Sequence, residues 1–450
     1  MAAGVEVHHT TLLELLGLGD AKSLYWASIL LFTATYAMIV LEKFFHRVPA
    51  ALLGGSLAIF LGIITPREAW EAIDHNTMFL LVGMMVIVSV LIESGFFSIL
   101  SNMALRFTGG DPLKILLVFT FLTAFMSAFL DNVTTVLFMV PILLQMLVKL
   151  RINPIPFVIA TVLASNIGGT ATLIGDPPNI IIGSLGGFTF NDFIVNLAPI
   201  VLVVYVFGTL VFTLYMKWMG YLDRKIQSEE ELRRIIDQFK VEYDVPLMRK
   251  GLIVFGITLL LFFFHHHIGL QPGTVALTMA AVLLLWTRLN PEKVFERVEW
   301  GTLMFFVGLF MVIGGLQVNG VFKDLANFVA ELVTDPLGGI WIIGGLSAFI
   351  SGIVDNIPFT MAMSYVLLDL AKEVTFPVEP LWWALALGAC LGGNLTIIGA
   401  SANVVAAGIV EKEGYRISFV DFLKMGTPVA FVTTLIALFL LWLKYNLFGF

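Results

Sequence analysis

Three carboxylates stand where an otherwise apolar chain should carry no charge: Asp131 in SAFLDNVTT, Asp176 in LIGDPPN and Asp355 in SGIVDNI. An ionisable side chain inside an apolar span is costly, so such residues pair with one another, line a polar cavity or relay protons. A carboxylate withdrawn from water tends to hold its proton to higher pH, which suits a group that loads and unloads a proton across a barrier. Neutral donors and acceptors crowd the same segments: Asn132, Asn166, Asn179, Asn356, Asn394 and Asn403, with Thr134, Thr135, Thr170, Thr172, Thr360, Thr396 and Ser401. The expected proton-coupling set is Asp131, Asp176 and Asp355. The expected solute or ion set is Asn132, Thr134, Asn166, Thr170, Asn179, Asn356, Asn394, Thr396, Ser401 and Asn403. A competing reading makes each aspartate a helix cap and leaves about half of the amides and hydroxyls serving exposed backbone.

The elements that must position these residues are apolar helices. The chain has 450 residues, 59% hydrophobic and 13% charged, with a mean hydropathy of +0.96. A soluble domain carries roughly a quarter charged residues, so an all-α integral membrane protein is expected. Apolar runs near the roughly 20 residues needed to cross a bilayer fall at 24–42, 48–64, 77–97, 156–185, 193–218, 251–265, 273–289, 301–317, 382–409 and 427–445. Two more, 113–150 and 340–370, carry Asp-Asn at their centres and read as re-entrant hairpins. The segment 1–22 lacks a basic start and a continuous apolar run and reads as a short leader.

The halves repeat. AFMSAFLDNV at 124–133 aligns with AFISGIVDNI at 348–357, and GGTATLIGDPPN at 168–179 with GGNLTIIGASAN at 392–403, both at the same offset along the chain. Five crossings and one hairpin in each half make this an inverted-topology repeat. Residues 23–218 form the first copy, 219–250 a cytoplasmic linker, and 251–450 the second copy. With the N-terminus outside, twenty of the 25 Lys and Arg fall on the inner side. The positive-inside rule therefore predicts N-out and C-out.

Non-helical backbone at membrane depth survives only when buried in protein or lining a polar cavity. The expected breaks are at Asp131-Asn132, at Gly175 through Pro177 and Pro178, at Asp355-Asn356 and at Gly399. The pseudo-symmetry would bring all four to the middle of the membrane, where carriers bind solute and coupling ions. In GDPPN, Asp176 stands as N-cap with Pro177 at the first helical position, opening a half-helix whose free N–H groups face the cavity. Ala400 replaces Asp176 in the second copy, and Cys390 replaces Asn166.

Several classes are excluded. A single cysteine, Cys390, forbids an internal disulfide and a multi-thiolate metal site, and it reads as a small packed side chain. His265, His266 and His267 read as an interfacial loop and not a metal site. No phosphate loop, nucleophile elbow or HExxH motif is present, so no enzyme activity, cofactor, metal or nucleic-acid partner is expected.

SAFLDNVTTVLFMVP, SNIGGTATLIGDPPNIIIGS, SGIVDNIPFTMAMSY and LGGNLTIIGASANVVAAGI together resemble the ion transporter superfamily. The resemblance falls in the group of ArsB arsenite pumps, NhaD sodium/proton antiporters and the P protein, permeases with a citrate-transporter-like domain. It covers the chain from about residue 25. It implies a homodimer whose hairpins and broken helices move against a scaffold in an elevator motion, in a bacterial or archaeal inner membrane, and it leaves room for a soluble ATPase partner. Dicarboxylate relatives carry Ser-Asn-Thr at the tips where this chain has Asp131-Asn132-Val133 and Asp355-Asn356-Ile357, a departure that disfavours anionic cargo. The expected function is proton-coupled efflux of arsenite or antimonite. The alternatives are a sodium/proton antiporter, an anion channel or organic-anion permease and, last, an intramembrane aspartyl protease.

Overall fold

The computed structural model describes residues 11–41, 45–223 and 243–449. Most of the expected linker, residues 224–242, and positions 1–10 of the expected leader lie outside the described residues. The described chain is helical throughout. In order, the first half holds α1 (Leu12–Leu15), α2 (Ala21–Val40), α3 (Arg47–Leu61), α4 (Pro66–Ala72), α5 (His75–Glu93), α6 (Phe96–Thr108), α7 (Pro112–Ser127), α8 (Asn132–Lys149), α9 (Ile155–Gly169), α10 (Pro177–Gly186), α11 (Phe190–Asn196) and α12 (Ala198–Trp218). The second holds α13 (Val245–Phe264), α14 (Pro272–Thr287), α15 (Pro291–Phe295), α16 (Trp300–Val318), α17 (Val321–Leu332), α18 (Pro336–Ile353), α19 (Asn356–Glu373), α20 (Glu379–Gly392), α21 (Ser401–Lys412) and α22 (Phe419–Phe448). Among the described residues, seven helices are long and apolar enough to cross a membrane, and four shorter apolar ones accompany them.

Local chemistry sets the boundaries. Asp111 and Asp335 accept the N–H of the residue three positions on and start α7 and α18, each followed by Pro at the first helical turn. Thr65 and Glu68 form a capping box that starts α4. Gly62 and Gly187 end α3 and α10 in the left-handed region, at φ 83° and 72°. The apolar pattern alone puts the second hairpin at 340–370, but α18 begins at Pro336 because Asp335 caps it. The same pattern puts the last span at 427–445, but α22 runs from Phe419 with Pro428 inside it, and Ser418 and Asp421 close its first turn.

The chain divides into two compact units, residues 1–75 with 299–331, and residues 76–298 with 332–450. In the first, α3 and α16 touch backbone to backbone. A Cβ on Gly308 would stand 2.4 Å from the Ala51 carbonyl oxygen, the small-residue packing by which helices associate without a hydrophobic drive. Ala58, Ile64 and Ala69 form a small core there with Leu31, Ile59 and Met311. In the second unit the corresponding residues make the same contact: a Cβ on Gly83 would stand 2.7 Å from the Ala276 carbonyl oxygen, and Gly273 N–H donates to Asn76 Oδ1 at 2.9 Å. Each unit therefore draws helices from both sequence halves, and the compact units cut across the repeat. The second unit also contains both hairpins, α7–α8 and α18–α19, and both broken helices, α9–α10 and α20–α21.

Candidate functional site

The hairpin tips are built by their aspartates. Asp131 Oδ2 accepts Thr134 N–H at 2.9 Å and Thr134 Oγ1 at 3.1 Å, capping α8. Asp355 Oδ1 accepts Ile357 N–H at 3.0 Å, and its Oδ2 accepts Ser401 Oγ at 3.1 Å from across the break. Each tip is bonded to the broken helix beside it: Asn132 N–H donates to the Gly175 carbonyl at 3.1 Å and Asn356 N–H to the Gly399 carbonyl at 3.2 Å. Thr172 Oγ1 donates to the Ala128 carbonyl, and its counterpart Thr396 Oγ1 to Gly352 at 2.6 Å. The repeat offset read from the sequence thus recurs in the hydrogen bonds.

Helix breaks leave carbonyls that must find donors, and two asparagines supply them. Asn179 Nδ2 reaches the carbonyls of Gly169, Thr170 and Thr172 at 3.3, 3.1 and 2.8 Å. Asn403 Nδ2 reaches Gly393 and Thr396 at 2.8 and 2.9 Å. The close approach of α7 to α9 requires glycine, since a Cβ on Gly168 would stand 2.0 Å from the Ala124 carbonyl oxygen. Gly392 meets Ala348 in the same way at 2.4 Å.

Asn166 joins the halves. Its Oδ1 accepts Asn132 Nδ2 at 3.2 Å, and its Nδ2 donates to Asn394 Oδ1 at 2.9 Å and Asn403 Oδ1 at 3.0 Å. The counterpart of the last bond is Cys390 Sγ donating to Asn179 Oδ1 at 3.6 Å, as a local two-fold relation demands. Asp176 takes the N-cap position of α10 with Pro177 and Pro178 in the first turn, but its side chain makes no capping bond. Its buried carboxyl faces Cys390 and Asn356 instead of a helix N–H. Asn132 Oδ1, Thr135 Oγ1 and Thr360 Oγ1 are buried and unmatched.

The sequence-predicted residues therefore converge on one buried region of the second unit. Asp131 and Asp355 are capping residues there, Asn179 and Asn403 clamp backbone, and Asp176 alone among the three acids caps no helix N–H. Two contributors lie outside the sequence-predicted set: Ser165 Oγ donates to Ser127 Oγ at 3.1 Å and to the Asn132 carbonyl at 3.2 Å. Their place in segments flanking NIGG and LDN is the only signal the sequence offers for them. Beside Asp131 and Thr134 lies a void of about 10 Å³ walled by Leu80, Met84, Ile174 and Ile180. Leu80 and Ile180 also border a cavity of about 250 Å³ that holds Asn76, Ser184, Gln271 and His265. His265 Nδ1 meets the Leu270 carbonyl at 2.9 Å, so this histidine serves the turn after α13.

Residues 36–388 match the CitMHS family, described as citrate transporter. The chain belongs to this family. Relatives of this CitMHS chain include an uncharacterized transporter of Mycobacterium tuberculosis, 38% identical over 434 residues that cover 94% of this chain and 99% of the relative. The P protein of Mus musculus is 33% identical over 506 residues, covering 94% of this chain and 60% of that protein. Among solved structures, the YdaH transporter of Alcanivorax borkumensis shares the fold at a TM-score of 0.54, with 14% identity, over 95% of this chain and 98% of that one. The superfamily resemblance holds, and this CitMHS protein is a multi-pass membrane transporter that moves a small solute in a lipid bilayer.

Proposed function

We propose that this CitMHS transporter is a proton-coupled carrier that exports arsenite or antimonite across a bacterial or archaeal plasma membrane by alternating access. The observation that carries this reading is the charge of the candidate site. Asp131, Asp176 and Asp355 are buried, whereas no Lys or Arg is buried among the described residues. A polyanion such as citrate would meet three carboxylates with no cation to offset them, and helix N-termini supply only about half a charge each. Arsenite near neutral pH is an uncharged trihydroxide, and the amides and hydroxyls of Asn132, Thr135, Asn356 and Thr360 suit its hydroxyls. The residues expected to touch solute are these with Asn166, Thr170, Asn394, Thr396 and Ser401, and the coupling acids are drawn from Asp131, Asp176 and Asp355.

The supporting architecture is two inverted repeats, 23–218 and 251–450, joined by a cytoplasmic linker at 219–250, N-out and C-out. It works as a homodimer in an elevator cycle. A second reading, a sodium/proton antiporter, is favoured by the carboxylate–hydroxyl pairs Asp131–Thr134 and Asp355–Ser401, since hard cations prefer such oxygens. The test is flux in proteoliposomes under an imposed pH gradient, comparing arsenite, antimonite, sodium, lithium and citrate. Gradient-driven arsenite or antimonite movement that is indifferent to sodium is expected. Sodium flux without arsenite flux would favour the second reading, and citrate uptake would overturn both.

A further inference from the structure

The two halves share the bonds that tie each hairpin tip to its break and clamp the broken backbone, but they part where residues 166 and 176 are compared with 390 and 400. Asn166 receives Asn132 Nδ2 and donates to Asn403. Cys390 donates to Asn179, but a thiol is a poor acceptor, and Asn356, the counterpart of the Asn132 donor, is faced by Asp176 instead. Ala400 presents a methyl group where its counterpart Asp176 presents a carboxyl, and that carboxyl, with 1% of the residue exposed, faces Asn356 and Cys390 and caps no helix N–H. Polarity absent at 390 is thus returned by residue 176, as an acid.

Resting on the carrier reading above, we propose that Asp176, cradled by Asn356 and Cys390, is the single proton carrier, that one proton is exchanged per solute, and that Asp131 and Asp355 position the site. Asp131 already uses Oδ2, and Asp355 both oxygens, on backbone N–H and hydroxyl donors. Asp176 caps no helix N–H, and Asn356 and Cys390 face its carboxyl, so it can gain and lose a proton without unmaking a cap. Asn356 Nδ2 can donate to a carboxyl oxygen of Asp176 in either protonation state. A metal cation suits the cradle badly, because hard cations collect six or more oxygens, and the groups facing Asp176 are an amide N–H and a thiol. The other titratable groups facing it are Cys390 on α20 and Asp131 and Asp355 at the starts of α8 and α19. In the cycle the proton passes from water to a carboxylate oxygen of Asp176 on one side and returns to water on the other, with no other bond changed.

Proteoliposomes with the membrane potential clamped at zero test this. One exchanged proton gives a tenfold arsenite gradient per pH unit, and two give a hundredfold. Wild type should reach tenfold. Asp176→Asn should hold no gradient while still exchanging arsenite at a reduced but measurable rate. The double variant Asp176→Ala with Cys390→Asn copies the Ala400 and Asn166 pair that the other half folds around, and it should likewise hold no gradient. A tenfold gradient in either Asp176 variant, or a hundredfold one in wild type, would overturn the assignment. A wild type that moves neither arsenite nor antimonite would overturn the proposed function and this assignment with it.

Discussion

Replacing Asn403 with alanine is the sharpest test of how the broken helices are held. The substitution removes two bonds donated to the carbonyls of Gly393 and Thr396, at 2.8 and 2.9 Å, and one accepted from Asn166 at 3.0 Å. Side-chain hydrogen bonds in membrane proteins average about 0.6 kcal/mol, which sums to about 2 kcal/mol for three. If the buried carbonyls and the Asn166 amide stay unsatisfied at roughly 1–2 kcal/mol each, the total approaches about 5 kcal/mol. Asn179→Ala should cost less, about 1–3 kcal/mol. Its one amide has two hydrogens for three carbonyls, and its oxygen accepts only a thiol at 3.6 Å. The assay is reversible unfolding of solute-free protein in mixed micelles followed by tryptophan fluorescence, because bound solute would add linkage stability. An Asn403→Ala cost below about 0.5 kcal/mol, or a larger cost at Asn179, would show that these amides are not backbone clamps.

Further outcomes follow from the same geometry. Gly168→Ala and Gly392→Ala should each destabilise by about 2 kcal/mol or more, because backbone must move. Gly345→Ala on α18, with open space around it, should be close to neutral; size-exclusion profiles after heating compare the three. Asp131→Ala removes the α8 cap and should cost about 1–2 kcal/mol in the same unfolding assay. Arg297→Ala breaks an ion pair with Glu93 whose side chains are 42% and 39% exposed, and should change stability by less than about 1 kcal/mol. Arg288, which ends α14 in the left-handed region at φ 55°, should be replaceable by glycine with a gain of up to about 1 kcal/mol, read as a raised unfolding midpoint.

The elements of the site are legible in the sequence, and the reasons are local. Backbone cannot stay helical through GDPPN, an apolar run cannot carry Asp-Asn at its centre without a turn, and an internal repeat at constant offset places the same breaks in both halves. What the sequence by itself determined is therefore the helical class, the two hairpin tips, the two broken helices and the residues crowded around them. Tertiary structure decided which role each of those residues takes. Asn166 and Asn403 are 237 positions apart and Ser401 reaches Asp355 across 46, so no short window of sequence contains both partners. The same dependence separates Asp131 and Asp355, which cap their helices, from Asp176, which faces Cys390 and Asn356 and caps none. It also pairs α3 with α16 and α5 with α14, because close helix packing needs only small residues at matching heights, which many helices offer. A side chain's type limits the bonds it can make; only the folded neighbours fix which of them it does make.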